Sequence, residues 1–287
     1  MNSPMGAFLR PEGYAGPSGL RALTREGSAV VEAARYYRRS RIDRRARAVL
    51  PHVGAHYRPP HEPVLLVPGF MAGDYTLTFL HRMLRADGYR SYRSHIAVNA
   101  GCTREVAALL EKRIESIAIR RERKVTVVGH SLGGMLARGL AARRPDLVHG
   151  IVAMGSPVIA PGAVHRLLAW DADLLTRLAR AGVRGLMGED CIAGECAQAS
   201  FDETHQPLDP GVEFTAIYSR RDGIVDWRAC LDPAATAVEV ATSHLGMAFD
   251  PRVYDVLRAA LAEQQVSRAN RREGRSGAER LRPAVNT

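Results

Sequence analysis

Three features of this 287-residue sequence predict a doubly wound α/β fold, a mostly parallel sheet flanked by helices. The continuous apolar run PVLLVP at 63–68 suits a strand buried on both faces, and VTVV at 125–128 suits another buried strand. Segments with apolar residues at helical spacing separate such runs, and strand–helix–strand alternation implies right-handed crossovers between parallel strands. The apolar content of 46% is enough to fill one large core.

The elements follow in order. Residues 1–60 form a basic, partly helical extension, in which 30–50, VVEAARYYRRSRIDRRARAVL, offers an apolar stripe of Val30, Ala33, Ala34, Tyr37 and Ile42 among arginines. That stripe predicts docking on the main domain, with an anionic membrane surface as the other option. The main domain spans 61–264. After the strand at 63–68, a helix is expected over 76–86 and a strand over 91–98. The next helix is expected at 103–121, where Val106, Leu110, Ile114 and Ile117 share a face and Thr103 can cap the start. Next come the strand at 124–128, a helix over 132–143 stopped by Pro145, and a strand over 148–154. The alternation then breaks: 158–210 is too long for an ordinary connection and reads as a helical lid insertion. It resumes with the strand GVEFTAIYS, a short helix near Asp226, the strand AVEVA and a last helix over 251–262. The tail, 265–287, has little to bury and is expected to be disordered.

The formal charge of +10 sits at the ends. Residues 1–60 carry eleven arginines against four acids, 265–287 six against two, and the remainder 23 basic against 24 acidic residues. A near-neutral centre argues against a nucleic-acid-binding face. No apolar run approaches the roughly 20 residues that span a bilayer. The start, MNSPMGAFLRPEGYAGPSG, lacks an export pattern, so the expectation is a cytoplasmic protein, peripheral to membranes if the basic helix binds them. Of the four cysteines, Cys191 and Cys196 are five apart while Cys102 and Cys230 are isolated, a spacing that fits no zinc pattern. Neither metal nor other cofactor is expected. The cysteines read as reduced small hydrophobes, with a CIAGEC disulfide loop as the alternative in an oxidising compartment.

The chemistry concentrates at VTVVGHSLGG, 125–134. Gly129-His130-Ser131-Leu132-Gly133 fits G-x-S-x-G with a strand before it and a helix after it, the context of a nucleophile elbow. The turn is so sharp that side chains at 129 and 133 would collide with the strand or helix, and it leaves the Ser131 hydroxyl above the carboxyl edge of the sheet. Serine is a weak nucleophile and needs a histidine base oriented by an acid, in the order Ser, Asp, His for this architecture. Asp222, directly after a late strand, is the candidate acid, with Asp226 as its rival and a helix cap by preference. His244, after the last strand, is the candidate base. The backbone amides of Leu132 and of Phe70 in VLLVPGFMAGD are the candidate oxyanion donors, Met71 being the runner-up to Phe70. His130 reads as structural, and His95 and His205 have no partner visible in the sequence.

Taken together, PGFMAGD, GHSLGG, MGSPV, YSRRDGIVDWRAC and SHLGM resemble the α/β-hydrolase superfamily. The likeness is to its bacterial esterase and lipase-like branch, which also resembles PGAP-type and triacylglycerol lipases, and it runs over 63–262. The resemblance implies hydrolysis of a carboxylic ester or lipid through an acyl-enzyme. Ser131 would be the nucleophile, His244 the base and then acid, Asp222 its orienting partner, and the Phe70 and Leu132 amides the oxyanion hole. Pro68-Gly69 stands where His-Gly is usual, and the opening antiparallel strands common in the family are not evident before His61. An acyltransferase would use the same triad, and a non-catalytic membrane-associated protein would use the same scaffold. The second has no need of an exposed serine in a strained turn.

Overall fold

The computed structural model describes the backbone of residues 5–49 and 62–280, and the side chains there except at 43–49 and 272–280. The expected boundary at 60 and the end of the tail, 281–287, lie outside the described residues. Two helices, α1 (Gly19–Glu26) and α2 (Ala29–Val49), precede the sheet. The strands are β1 (Pro63–Val67), β2 (Arg90–Arg93), β3 (Val125–His130), β4 (Val148–Met154), β5 (Glu213–Tyr218) and β6 (Thr236–Glu239). They pair in parallel in the order β2-β1-β3-β4-β5-β6.

This order explains the apolar runs. β1, β3 and β4 are central and buried along their whole length, whereas the edge strands β2 and β6 expose residues. Alternation along β1 splits the core. Val64 and Leu66 pack with Leu80 and Leu84 of α3 (Thr78–Ala86) and with Leu257 and Leu261 of α9 (Pro251–Arg280). Leu65 and Val67 pack on the other face with Leu110 and Ile114 of α4 (Thr103–Arg121) and Leu136 and Leu140 of α5 (Leu132–Arg143). Each such leucine, fully buried, contributes about 2 kcal/mol. The chain leaves β1 for β2 on one side and returns to β3 on the other. The loops after β1 and β3 therefore diverge, and the register Val67 with Gly129 sets their starting points level. Such a switch point is where an open α/β sheet binds its ligand. Between β4 and β5 the insertion is helical, with α6 (Arg166–Arg180), α7 (Asp190–Ala193) and α8 (Glu195–Thr204).

Two expectations are corrected. The stripe on α2 does not dock: Val30, Ala34, Tyr37 and Ile42 are exposed. The opposite side is held instead by buried Glu32, by Tyr36 against Phe79, and by Arg35 and Arg39 paired with Asp250 and Asp255. Satisfied polar contacts to one partner outweigh a stripe that any surface would accept. The last helix also runs past 262 to Arg280 rather than giving way to a disordered tail. The sequence there is poor in apolar residues, but polar contacts anchor it. The Gln264 amide donates to Ile151 O at 3.3 Å, and Ser267 Oγ donates to Glu213 at 2.7 Å. A smaller difference is that Cys102, not Thr103, is the N-cap of α4.

Candidate active site

The end of β3 builds the site. Ser131 has φ 54° and ψ −122°, a left-handed conformation that costs a non-glycine residue of order 1–3 kcal/mol. Its amide donates to Met154 O of β4 at 2.8 Å. A Cβ at Gly129 would stand 2.3 Å from Gly133 C, and one at Gly133 would stand 2.2 Å from Val67 O. Both flanking glycines are thus required by neighbouring backbone, which cannot give way as a flexible side chain can.

Asp222 and His244 meet across two loops. His244 Nδ1 donates to Asp222 Oδ2 at 2.7 Å, and both residues are buried. The other carboxylate oxygen, Oδ1, accepts the amides of Ile224 and Val225 at 2.8 and 2.7 Å, which fixes the carboxylate plane. With Nδ1 engaged as donor, Nε2 is the nitrogen free to accept a proton. Burial disfavours the charged imidazole, but the charge and hydrogen bond of Asp222, with the Glu26 carboxylate beyond, outweigh it and raise the pKa of His244. The rival acid is engaged elsewhere. Asp226 pairs with Arg228, accepts the Ala15 amide at 3.2 Å and caps the turn Trp227–Cys230.

His130 behaves oppositely to His244. Burial and the neighbouring His244 push its pKa down to about 3, so it is neutral, and its Nε2 donates to His244 O at 3.0 Å. It supports the histidine loop and is no rival base.

In the loop after β1, Met71 has φ 57° and its amide donates to Asn99 O at 3.0 Å. Among the described residues the Phe70 amide makes no intramolecular hydrogen bond. Asn99, almost wholly buried, also donates from Nδ2 to Pro68 O at 2.9 Å and from its amide to Ala72 O at 2.8 Å. It clamps this loop at three points.

Three residues that matter here escape sequence reasoning: Asn99, Glu26 and Glu32. Glu26, at the end of α1, accepts the amides of Gly223, His244 and Leu245 at 2.9, 3.0 and 3.0 Å. Glu32 of α2 accepts the Ser243 amide at 2.9 Å and the Ser243 hydroxyl at 2.5 Å. The basic extension thus places two carboxylates under the loop that carries His244. The only available signal was that just four acids stand among its eleven arginines.

Ser131, Leu132 and Phe70 line an open cleft. The remaining walls are mostly apolar, from Met5 and Leu9 of the N-terminal segment, Leu168 and Ala172 of α6, and Ile192 and Phe201 of the following helices. A hydroxyl in a strained turn and a backbone amide free to donate thus line an apolar cleft, while the oriented imidazole of His244 packs against His130, the residue before Ser131.

A family model described as the alpha/beta hydrolase fold matches residues 74–188, which include the elbow. A triacylglycerol lipase of Vibrio cholerae is 29% identical over 104 residues, 34% of this chain and 33% of that protein. The matched stretch is therefore about a third of the length of that curated relative. Among solved structures, the mature form of the lipase BlEst2 of Bacillus licheniformis superposes with a TM-score of 0.57 at 15% identity, covering 72% of this chain and 94% of that one. Cfl2 of Burkholderia cenocepacia gives a TM-score of 0.50 at 17% identity, over 70% and 88% respectively.

Proposed function

We propose that this chain, which has the α/β-hydrolase fold and resembles lipases and esterases, is a serine hydrolase that cleaves carboxylic esters through an acyl-enzyme. The observation that carries the reading is the 2.7 Å bond from His244 to Asp222, together with the strained elbow of Ser131 at the switch point of the sheet. Ser131 Oγ attacks the ester carbonyl while His244 Nε2 takes its proton, and the imidazolium so formed is stabilised by Asp222. The amides of Phe70 and Leu132 receive the oxyanion. Collapse of the tetrahedral intermediate expels the alcohol, protonated by His244. Water then repeats the sequence in reverse and frees the acid and Ser131.

The apolar cleft supports an acyl group with a hydrocarbon chain, and the helical insertion serves as the lid over it. On the outer side of α6, Leu167, Trp170, Leu174 and Leu178 form an exposed stripe, which suits an encounter with aggregated lipid. The outward Val30, Tyr37 and Ile42 among the arginines of α2 support peripheral membrane contact as well. No helix among the described residues is long and apolar enough to cross a membrane.

The test is reaction with a fluorophosphonate probe. Wild type should be labelled and Ser131→Ala should not, with turnover of p-nitrophenyl esters falling about a millionfold in the variant. Equal labelling of the two proteins would overturn the reading. Rates on p-nitrophenyl esters of rising acyl length should increase beyond the shortest chains if the cleft holds the acyl group.

A further inference from the structure

Three cysteines far apart in sequence converge beside the cleft. Cys102 is the N-cap of α4, Cys191 lies in α7 and Cys196 in α8. Their sulfurs all lie within 4.8 Å of one another, with Cys102 Sγ and Cys196 Sγ 3.4 Å apart. In the sequence Cys102 stands apart from the other two, and the fold brings the three sulfurs together. All four cysteines are free thiols, and Cys230 is buried elsewhere, beside the loop of Asp222 and Asp226.

We infer that Cys102, Cys191 and Cys196 form a three-thiolate site for a soft, thiophilic cation of the Zn²⁺ or Cu⁺ type, which fastens α7 and α8 to the N-terminus of α4. The spacing fits. A cation with metal–sulfur bonds of about 2.3 Å and tetrahedral angles holds its sulfurs about 3.8 Å apart, within the range seen here. The donor set is all sulfur, which selects soft cations over Mg²⁺ or Ca²⁺. The ligands come from three elements, so folding preforms the site. Binding forms three metal–sulfur bonds and releases the protons that the thiols still hold, with no change of oxidation state. A fourth position is left for water or a small ligand.

The site adjoins the substrate walls. Cys191 itself lines the cleft, and the Met187 amide, at the approach to α7, donates to Ala100 O at 2.8 Å. Asn99, which clamps the Phe70 loop, is three residues before Cys102. A cation here would stiffen the wall opposite α6 and the loop that carries an oxyanion donor. The inference is independent of the ester-hydrolase reading, since it concerns binding alone.

The experiment is titration of the full, phosphine-reduced protein with Cd²⁺ under argon, followed by the ultraviolet sulfur-to-cadmium charge-transfer band. The band should saturate at one equivalent and be displaced by Zn²⁺. It should be lost in Cys102→Ser and Cys196→Ser and kept in Cys230→Ser, circular dichroism verifying that each variant is folded. Should either serine variant fail to fold, wild type decides alone: Zn²⁺ should slow alkylation of the three cysteines by iodoacetamide and release protons on binding. No band, a band undiminished in both variants, or alkylation unaffected by Zn²⁺ would overturn the site. So would a Cys102–Cys196 disulfide in the purified protein that, once reduced, takes up neither cation.

Discussion

The elbow at 129–133 and the N-terminal arm at 5–32 serve the same site in opposite ways. The elbow is local: five consecutive residues between a strand and a helix, whose flanking Gly129 and Gly133 are each confined by nearby backbone. The arm is remote: Glu26 and Glu32 reach residues more than 190 positions away to hold the loop that carries His244. In the proposed mechanism the elbow presents Ser131 as the nucleophile, and the arm holds the loop of the proposed base, His244. In this chain the sheet supplies the strained turn by itself, while an added segment holds the last loop.

Several substitutions would sharpen or break that contrast. The largest effect is expected at the acid: Asp222→Asn should lower kcat about 10⁴-fold by losing the tautomer that leaves Nε2 free, whereas Asp226→Asn should change it no more than a few-fold. If the two exchange roles in ester turnover, the assignment of the acid fails. Next comes the helix behind the elbow. Arg138 of α5 pairs with Asp232 at 3.1 Å and donates to Gln206 O at 2.8 Å, with both charged side chains buried. Removing one partner leaves a buried charge, so Arg138→Ala should lose about 3–4 kcal/mol of unfolding free energy in urea. A loss under 1 kcal/mol would mean that water replaces the partner.

The arm is probed by Glu26→Gln, for which a fall in kcat/KM of about tenfold is expected, since the single glutamine oxygen can still accept the Gly223 and His244 amides, more weakly, while the Leu245 amide faces the new NH2 and loses its acceptor. The pH profile separates position from packing. His244 must be neutral to act as base, so kcat/KM falls as the pH drops through its raised pKa. Glu26 is one of the charges that raise it, so in the glutamine variant the acid limb should move to lower pH. An unmoved limb would make Glu26 a packing residue only. The smallest effect is expected on the outer side of α6, where Trp170→Ser should leave soluble short-chain esters unaffected and slow turnover of emulsified substrate.

How much of this the sequence disclosed follows from range. The strands β1, β3 and β4 were legible because residues buried on both faces are mostly apolar, Thr126, His130 and His149 being buried exceptions, and the elbow because its glycines answer to their own turn. Asp222 and His244, each following a late strand, are a pair that the structure joins by a hydrogen bond. Their contact, and the separation of Asp226 from His244, depend on how two loops fold back. The stripe on α2 misled because Val30, Tyr37 and Ile42 look like a docking surface, while Glu32 and Arg35 make the contacts. The tail at 265–280 misled for the same reason, being held by Gln264 and Ser267 rather than by apolar burial.

The sequence by itself determined the doubly wound sheet, the elbow with its serine, and the chain order of the three site residues. Each of these rests on periodicity or on steric limits that act within a few residues. Only the tertiary structure decided that Glu26 and Glu32 lie under His244, that Asn99 clamps the Phe70 loop and that Cys102 meets Cys191 and Cys196. Hydrogen bonds and thiol contacts of that kind are chosen by which loops the sheet order brings together, and no local pattern encodes the choice.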